Sequence, residues 1–411
     1  MKKTKLALAI ATAAFASSAM ATNGTNMTGV GAQSSAMGGT GVAAYYGAES
    51  VIVNPAMIGK GTGTEFTFGG TLFKPSVSND GSYAAGGMTD SDADTFVIPS
   101  VSLTSRISDT LTFGIGMYGT SGMGVDYSKA TGATQGGLML AQSNLQIMRF
   151  VPTLAYNEAN FGIGFSPIIQ YGSLDINYNM GGMGAGAPGA PVGGFTNIGS
   201  GASSDLGFGY SLGGYFDVNE DLTLAASYTS AIDMKYDGQL STASAPFATL
   251  GMLTEAFKDN LDQPAELKAG IAYKIGNYSL TGDYKQIRWS EADGYGDFNW
   301  EDQNVISIGA KYQGDGFWLG AGYNKADNPI KEMDASAPNG VATNLFNNLF
   351  FPATTEQHFS IGGGYNLTKN VALDAAIVIA PEVKTTVTGP MGLNTTKHSQ
   401  TAYTVSARYN F

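Results

Sequence analysis

The chain has 411 residues, no cysteine, and a formal net charge of −12 at pH 7 from 21 basic and 33 acidic residues. This acidic balance argues against a nucleic-acid partner, and the lack of cysteine excludes disulfides and thiolate chemistry. Only 13% of the residues are charged, and 21 tyrosines and 21 phenylalanines argue against a disordered chain.

The N-terminus has the three parts of a secretory signal peptide. Three lysines within the first five residues precede a short apolar run from Leu6 to Phe15, and a small-x-small cleavage motif ends at Ala21. The apolar run is too short to span a bilayer as a helix, and no later run is long enough to do so. We therefore predict a cleaved signal peptide over residues 1–21 and a mature chain that starts at Thr22.

Residues 22–63 are rich in Gly, Ala, Ser and Thr and lack the strand pattern of the rest of the chain. The remainder predicts a barrel of about fourteen strands, and such a barrel has more interior than its own wall side chains fill. We therefore predict that residues 22–63 form a small plug, or hatch, inside the barrel. A periplasmic tether is the alternative.

From residue 64 onward, segments of alternating polar and apolar residues recur, and short turns alternate with longer connections. This rhythm is typical of outer-membrane barrels, whose short turns face the periplasm and whose long loops face outside. We predict an all-β fold, a transmembrane antiparallel β-barrel of about 14 strands over residues 64–411, with the plug inside. The predicted strands lie near residues 64–77, 95–107, 110–121, 144–157, 160–176, 204–218, 222–236, 264–275, 278–289, 303–313, 316–326, 355–367, 370–384 and 398–411.

The last predicted strand shows the pattern most clearly. Its odd-numbered residues from Tyr403 to Phe411 are apolar or aromatic, whereas its even-numbered residues are polar and include Arg408. Since a strand alternates its faces, one face suits lipid and the other a wet lumen. An edge strand of a soluble sheet is the alternative interpretation of this segment alone.

Two predicted outer loops carry apolar clusters. In residues 245–262 the apolar positions recur at helical spacing, which predicts a helix, and residues 341–351 hold a second cluster. We predict that these clusters form the first landing site for a hydrophobic ligand; the alternative is that they pack the loops together and cap the barrel. The residues concerned are Phe247, Leu250, Leu253, Phe257, Leu345, Phe346, Leu349 and Phe350.

The stretch from Gly29 to Ala43, followed by Asn54-Pro55-Ala56, resembles the hatch of the FadL/TodX-type (OmpP1-like) outer-membrane transporters of long-chain fatty acids and hydrophobic compounds. The segment 280–290 and the terminal Arg408-Tyr-Asn-Phe411 are similar too, so the resemblance covers nearly the whole chain. It implies passive uptake of a hydrophobic small molecule, with long-chain fatty acids as the favoured cargo and aromatic hydrocarbons as the alternative. It implies no cofactor and no metal.

The resemblance also places candidate site residues. Asn54, Pro55 and Ala56 match the hatch motif, in which Pro fixes φ and Asn makes local backbone hydrogen bonds. The family's cargo leaves sideways at a kinked third strand, where Gly114 and Gly116 are the candidates for the kink. Expected partners are outer-membrane lipid, lipopolysaccharide and the barrel assembly machinery, which would recognise Phe411, and we expect a monomer.

Polarity alone offers several cations for a carboxylate on the cargo: Lys74, Arg106, Arg149 and Arg288. The acidic segments 90–94 and 291–302 fit no EF-hand spacing and are interpreted as solvated surface, with ion-bridged lipopolysaccharide as the alternative.

Two other functions stay open as alternatives. One is a general porin. The other is an outer-membrane lipid hydrolase, because His358 and Ser360 share a strand face as a base and its nucleophile would. No third group that orients the His is identifiable, and no zinc motif or P-loop is present.

Overall fold

The computed structural model describes residues 22–82, 87–131, 134–181 and 195–411. Within them, fourteen antiparallel strands pair in sequence order, and the last strand pairs with the first, so the sheet closes into a barrel. The predicted all-β barrel of about 14 strands is confirmed. The predicted signal peptide, residues 1–21, lies outside the described residues.

The wall strands run up and down with short turns at one end and long connections at the other. They are β1 (Thr64–Asn79), β2 (Phe96–Arg106), β3 (Leu111–Asp126), β4 (Gln142–Asn157), β5 (Phe161–Gly181), β6 (Ser203–Asp217), β7 (Leu222–Thr229), β8 (Glu266–Ile275), β9 (Tyr278–Ile287), β10 (Gln303–Gln313), β11 (Phe317–Ala326), β12 (Gln357–Asn366), β13 (Val371–Gly389) and β14 (Gly392–Asn410). The described ranges also contain four shorter strands, Thr22–Asn23, Asn26–Met27, Thr89–Asp90 and Phe195–Gly199.

The helices are short and lie in the hatch or in the long connections. They are α1 (Ala32–Ala36), α2 (Ser50–Val53), α3 (Gln135–Leu138), α4 (Leu240–Thr249) and α5 (Gly340–Phe350), with 3-10 turns at Gly47–Glu49, Pro55–Lys60 and Trp289–Glu291. Among the residues that the structure describes, no helix has the length and apolarity needed to cross a membrane.

The two faces of the wall differ as the alternation predicts. In β14, Val405 is 60% exposed on the outside, whereas Thr404 and Ser406 face the lumen and are almost fully buried. In β5, the apolar residues Ile163, Phe165 and others on the same face are exposed in the same way. Large apolar side chains therefore cover the surface that faces lipid.

The hatch prediction for residues 22–63 agrees with the packing of this segment. Met37 and Gly38 lie so close to the lumen side of the wall that a Cβ on Gly322 would be 2.1 Å from the Gly38 nitrogen. Ala32, Ala36 and Ala56 are fully buried. Small residues in the segment and glycines in the wall together let two backbones approach closely.

Some element boundaries differ from the predicted ones. The strand predicted over residues 222–236 ends at Thr229, because the chain then leaves the wall and forms isolated bridges from Ile232 to Gln263 and from Lys235 to Asn260. The helix predicted over residues 245–262 is confirmed only as far as Thr249, where α4 ends, and is wrong beyond it. Gly251 then adopts a positive φ of 70°, which stops the helix.

The longer connection expected between the last two predicted strands, at residues 385–397, is also wrong. β13 and β14 continue through it and leave a tight turn at residues 390–391. The segment Thr385-Thr-Val-Thr388 is rich in β-branched residues, which favour strands.

Candidate functional site

The Asn54-Pro55-Ala56 motif lies against two glycines of the wall, Gly164 of β5 and Gly213 of β6. Asn54 Oδ1 accepts a hydrogen bond from the Ala56 N–H at 3.0 Å, which caps the 3-10 turn that Pro55 opens, and Asn54 Nδ2 donates to the Val42 carbonyl at 2.7 Å. A Cβ on Gly164 would lie 2.4 Å from the Ala56 nitrogen. The motif thus fixes a non-regular segment inside the barrel, as its chemistry predicts.

Carboxylates hold the hatch backbone to the wall. Asp283 Oδ2, on β9, accepts hydrogen bonds from the N–H groups of Gly41 at 2.8 Å and Val42 at 3.0 Å. Glu65, at the start of β1, accepts one from the Ala48 N–H at 2.6 Å. Such charge-assisted bonds to backbone N–H groups are stronger than neutral ones.

A second set of contacts fixes the end of the hatch near the short turns. Arg106 Nε donates to the Gly61 carbonyl at 3.0 Å, and another guanidinium nitrogen donates to the Gly59 carbonyl. Lys60 forms an ion pair with Asp217. The C-terminal end of the hatch is therefore held through several independent bonds.

The wall has an interruption between β2 and β3. The two strands pair from Arg106 and Thr112 as far as Ser100 and Tyr118, and beyond that point β4 is the only wall strand with which residues 119–126 pair. The β3–β4 register shifts between Gly119 and Ser121, which marks a bulge.

The hatch reaches this interruption. Asn26 pairs with Ser121, and the Gly122 N–H donates to the Thr25 carbonyl at 3.1 Å. Pro99, which has no N–H to donate, lies on β2 one residue past the last pair with β3. Residues 96–99 and 119–126 of these two wall strands are therefore not paired with each other.

The predicted kink glycines do not lie at this bulge. Gly114 and Gly116 are in regular register with both neighbouring strands. Neither position has room for a larger side chain. A Cβ on Gly114 would lie 2.9 Å from Ile58 and Val51 of the hatch, and a Cβ on Gly116 would overlap the ring of Tyr118. The irregularity of β3 lies three to five residues beyond Gly116, at Gly119–Ser121.

A cavity of about 70 Å³ lies between the hatch and the wall. Its apolar lining comes mostly from the hatch, whereas the wall supplies three cations and two carboxylates: Arg149, Lys268, Lys285, Glu266 and Asp283. Thr120, the bulge residue of β3, lines it as well. The cavity therefore touches both the hatch and the interrupted wall.

The charges in this cavity are only partly compensated. Lys268 Nζ pairs with Glu266 at 2.9 Å, and Glu266 also accepts a hydrogen bond from Asn26 of the hatch at 3.1 Å. Arg149 is buried and donates through Nε to Gln170 at 2.9 Å. Its Nη2 atom has no partner among the described residues.

Of the four predicted cation candidates, the structure places one in this cavity. Arg149 lines it, whereas Lys74 is exposed on the outside of β1. Arg106 holds the hatch backbone, and Arg288 forms an exposed ion pair with Glu291. The sequence analysis missed Glu266 and Lys268. Asp283 and Lys285 could have been found, because charged residues at alternate positions of one predicted strand share its lumen-facing side.

The predicted landing-site residues lie in a packed cap over the barrel. Phe350 and Leu349 are fully buried, and the Phe346 ring lies 4.9 Å from that of Phe350 and 5.4 Å from that of Phe257. Phe247, Leu253 and Leu345 are also buried. Only Leu250, 41% exposed, is freely accessible in this set, so the packing corresponds to the alternative in which these residues cap the barrel.

The predicted His and Ser pair is not assembled for hydrolysis. Ser360 Oγ donates to the Ala36 carbonyl at 2.8 Å and accepts from the Gly38 N–H at 3.0 Å, so this hydroxyl binds the backbone of the hatch. His358 Nδ1 lies 3.2 Å from Asn324 Oδ1. Within the described ranges, no group of three His, Asp or Glu side chains could hold a metal ion.

Comparison with known proteins decides the family. The family model described as outer membrane protein transport protein (OMPP1/FadL/TodX) matches residues 7–411. The chain belongs to this family. The protein is accordingly located in the bacterial outer membrane, and its family consists of transport proteins.

One curated relative is a 47 kDa outer membrane protein of Pasteurella multocida (strain Pm70), which is 24% identical over 217 residues. That match spans 50% of this chain and only 50% of the relative's length.

Solved structures of the family share the fold. The Pseudomonas putida toluene transporter TodX is 20% identical, with 93% of this chain and 99% of that one covered and a TM-score of 0.67. A Pseudomonas aeruginosa FadL homologue is 15% identical, with 94% and 100% covered and a TM-score of 0.69. The Ralstonia pickettii toluene transporter TbuX is 19% identical, with 93% and 99% covered and a TM-score of 0.64.

Proposed function

We propose that this protein carries hydrophobic molecules that end in a carboxylate, with long-chain fatty acids as the favoured cargo, passively across the outer membrane. The observation that carries the proposal is Arg149, a buried cation with an unpartnered nitrogen among the described residues, beside a cavity with an apolar lining. A carboxylate would complete its hydrogen bonds, and the apolar lining would take up the first part of the chain.

The cavity is small because the hatch is in place. At about 70 Å³ it holds only about two water molecules' share of liquid volume. Binding of a long chain therefore requires the hatch to move. Asn26, Gly41 and Val42 are bonded to Glu266 and Asp283, which line the same cavity as the cations, so an entering carboxylate would compete for the charges that hold the hatch.

The proposed route has three stages. Cargo first meets the cap, where Leu250 and the partly exposed Phe257 offer apolar contact. It then enters the lumenal cavity beside Arg149. A shift of residues 22–30 would open the interruption between β2 and β3 and release it sideways into the membrane, so Asn54, Pro55 and Ala56 act as the fixed pivot of the hatch.

The test compares two cargoes in a host that lacks its own fatty-acid transporter. We expect the chain to support growth on oleate and Arg149→Gln to weaken oleate binding about tenfold to a hundredfold, because a charge-assisted bond is worth roughly 1.5–3 kcal/mol. Lys74→Gln is the matched control, since Lys74 lies outside the lumen. Unchanged oleate uptake by Arg149→Gln would contradict the role of this residue.

Aromatic hydrocarbons are the alternative cargo, as two of the structures compared above are toluene transporters. Such a cargo has no carboxylate, so toluene entry would be insensitive to Arg149→Gln. Enhanced toluene entry without growth on oleate would favour this branch. A general porin would conduct ions strongly in a planar bilayer, and a lipid hydrolase would lose hydrolysis in Ser360→Ala.

The proposed assembly partner concerns the C-terminus. Phe411 is 75% exposed, and its ring lies 4.7 Å from that of Tyr409. An accessible terminal aromatic residue is suited to recognition by the barrel assembly machinery during insertion. We expect Phe411→Ala to lower the amount of folded barrel in the outer membrane, and the mature protein to be a monomer.

A further inference from the structure

Two lysines lie directly opposite each other on the outer surface of the wall. Lys384 of β13 and Lys397 of β14 are partners in the strand register. Lys384 is exposed, and the Lys397 side chain is 40% exposed. Like charges directly opposite in a sheet are destabilising, so a negatively charged group between the two lysines would stabilise this part of the wall.

A bulge is what brings Lys384 to this surface. The register shifts between Ala380, paired with Gln400, and Val383, paired with His398, so β13 carries one extra residue there. Because successive residues of a strand alternate in face, Lys384 would otherwise point into the lumen as Asp374 and other even-numbered residues of β13 do.

The only carboxylate paired with either lysine in the described part of the chain is a weak partner. Glu382, in the bulge, lies 3.7 Å from Lys397 Nζ, and its side chain is 57% exposed. An exposed ion pair of this kind contributes little. One carboxylate also leaves two ammonium groups incompletely neutralised.

The level of the pair on the wall identifies the partner. The apolar belt ends at Leu72 and Tyr403, and on β13 at Ile379, which is opposite Thr401. Lys74 of β1 is also opposite Thr401, and the next outward-facing residues of β14, Ser399 and Lys397, are polar. Lys397 is four residues beyond Thr401, or about 13 Å along the strand. Both lysines therefore lie beyond the apolar belt, at the end of the barrel with the long loops and on the side where the headgroups of the outer leaflet lie.

We propose that Lys384 and Lys397 bind a phosphate group of a lipopolysaccharide molecule in the outer leaflet. Lysine is a compact point charge that binds phosphate well, and one phosphate between the two ammonium groups replaces their repulsion with attraction. The neighbouring outward residues Ser399, Thr401 and Ser76 supply hydroxyl groups that suit a sugar headgroup. This site is independent of the cargo and of the hatch.

The test measures thermal unfolding of the full barrel in detergent, with added lipopolysaccharide, phosphatidylcholine or inorganic phosphate. We expect lipopolysaccharide to raise the unfolding midpoint of the wild type and Lys384→Gln/Lys397→Gln to lose about half or more of that rise, since basic side chains near the membrane surface each add to anionic-lipid binding. Lys235→Gln is the matched control, because Lys235 is an exposed lysine of an outer loop.

A second readout separates binding from a structural role. Without lipid, the double variant should unfold at the same temperature as the wild type or higher, since the cross-strand repulsion is gone. Glu382→Gln should strengthen the response to lipopolysaccharide. An undiminished response in the double variant, an equal loss in Lys235→Gln, or an equal effect of inorganic phosphate at the same concentration would each overturn the proposal.

Discussion

A Cβ atom on Gly213 of β6 would lie 1.9 Å from Oδ1 of Asn54 in the hatch. The same wall position would bring it within 2.9 Å of Pro55 Cδ. The motif of the hatch and the glycine of the wall thus fit each other although they are far apart in sequence. The seat of the hatch is defined as much by the missing side chain as by Asn54 itself.

Gly213→Ala should therefore displace the hatch. The added methyl group overlaps Asn54, and such overpacking costs about 1–3 kcal/mol. We expect higher ion conductance of the variant in planar bilayers, because a displaced hatch leaves the lumen more open. Gly214→Ala is the matched control, since its Cβ would meet only the Gly162 carbonyl at 3.5 Å. Equal conductance of the two variants would contradict this account.

Asp283→Ala should loosen the middle of the hatch. It removes the acceptor for the N–H groups of Gly41 and Val42, and a buried donor left unpaired costs roughly 1–3 kcal/mol. Asp283→Asn keeps an acceptor oxygen without the charge, so its effect should be smaller. Hydrogen exchange of residues 38–46, followed by mass spectrometry, measures the difference. Exchange as slow as in the wild type in both variants would show that other contacts hold this segment.

The barrel wall could be predicted from the sequence because alternation is a local signal. Each strand shows its lipid-facing and lumen-facing residues within about ten positions, and the short turns mark where one strand ends and the next begins. The cavity could not be predicted in this way. Asn26 and Glu266 are 240 positions apart, yet they form one hydrogen bond in the site.

The difference between the kink predicted at Gly114 and Gly116 and the observed bulge has a similar physical cause. A glycine marks a place where no side chain fits, but sequence cannot tell whether the reason is a bulge or a close neighbour. At Gly114 the neighbours are Ile58 and Val51 of the hatch, and this contact depends on how the hatch folds into the barrel. The bulge itself lies at Gly119–Ser121, where the hatch residue Asn26 pairs with the strand edge.

The cap offers a prediction that separates packing from capture. Phe350 is fully buried against Phe346 and Tyr178, so Phe350→Ala should destabilise the cap by about 3–5 kcal/mol. Leu250→Ser, at an exposed position, should change stability by no more than about 0.5 kcal/mol. Chemical denaturation followed by tryptophan fluorescence compares the two. If Leu250→Ser nevertheless weakens oleate capture, the outer face of the cap is the landing surface.

The loop between β7 and β8 should respond to pH through Asp262. Burial raises the pKa of this carboxyl from its ordinary value of 3.8 to about 6, although Oδ1 accepts a hydrogen bond from the Met234 N–H at 2.8 Å. Because the folded pKa lies above the unfolded one, the folded loop binds the proton more tightly, and its stability is greatest below about pH 4. This contribution to the stability of the loop is lost as the pH rises from about 4 to about 6. Above that range the stability of the loop no longer changes with the ionisation of Asp262.

Asp262→Asn tests this dependence. The amide keeps an acceptor for the Met234 N–H but cannot ionise, so the loop should be as stable at pH 7 as the wild-type loop is at pH 4. Hydrogen exchange of residues 230–265, corrected for the intrinsic effect of pH, provides the measurement. Asp237→Asn is the control, because Asp237 is an exposed residue of the same loop. A wild-type loop equally protected at pH 4 and pH 7 would show that Asp262 ionises without strain.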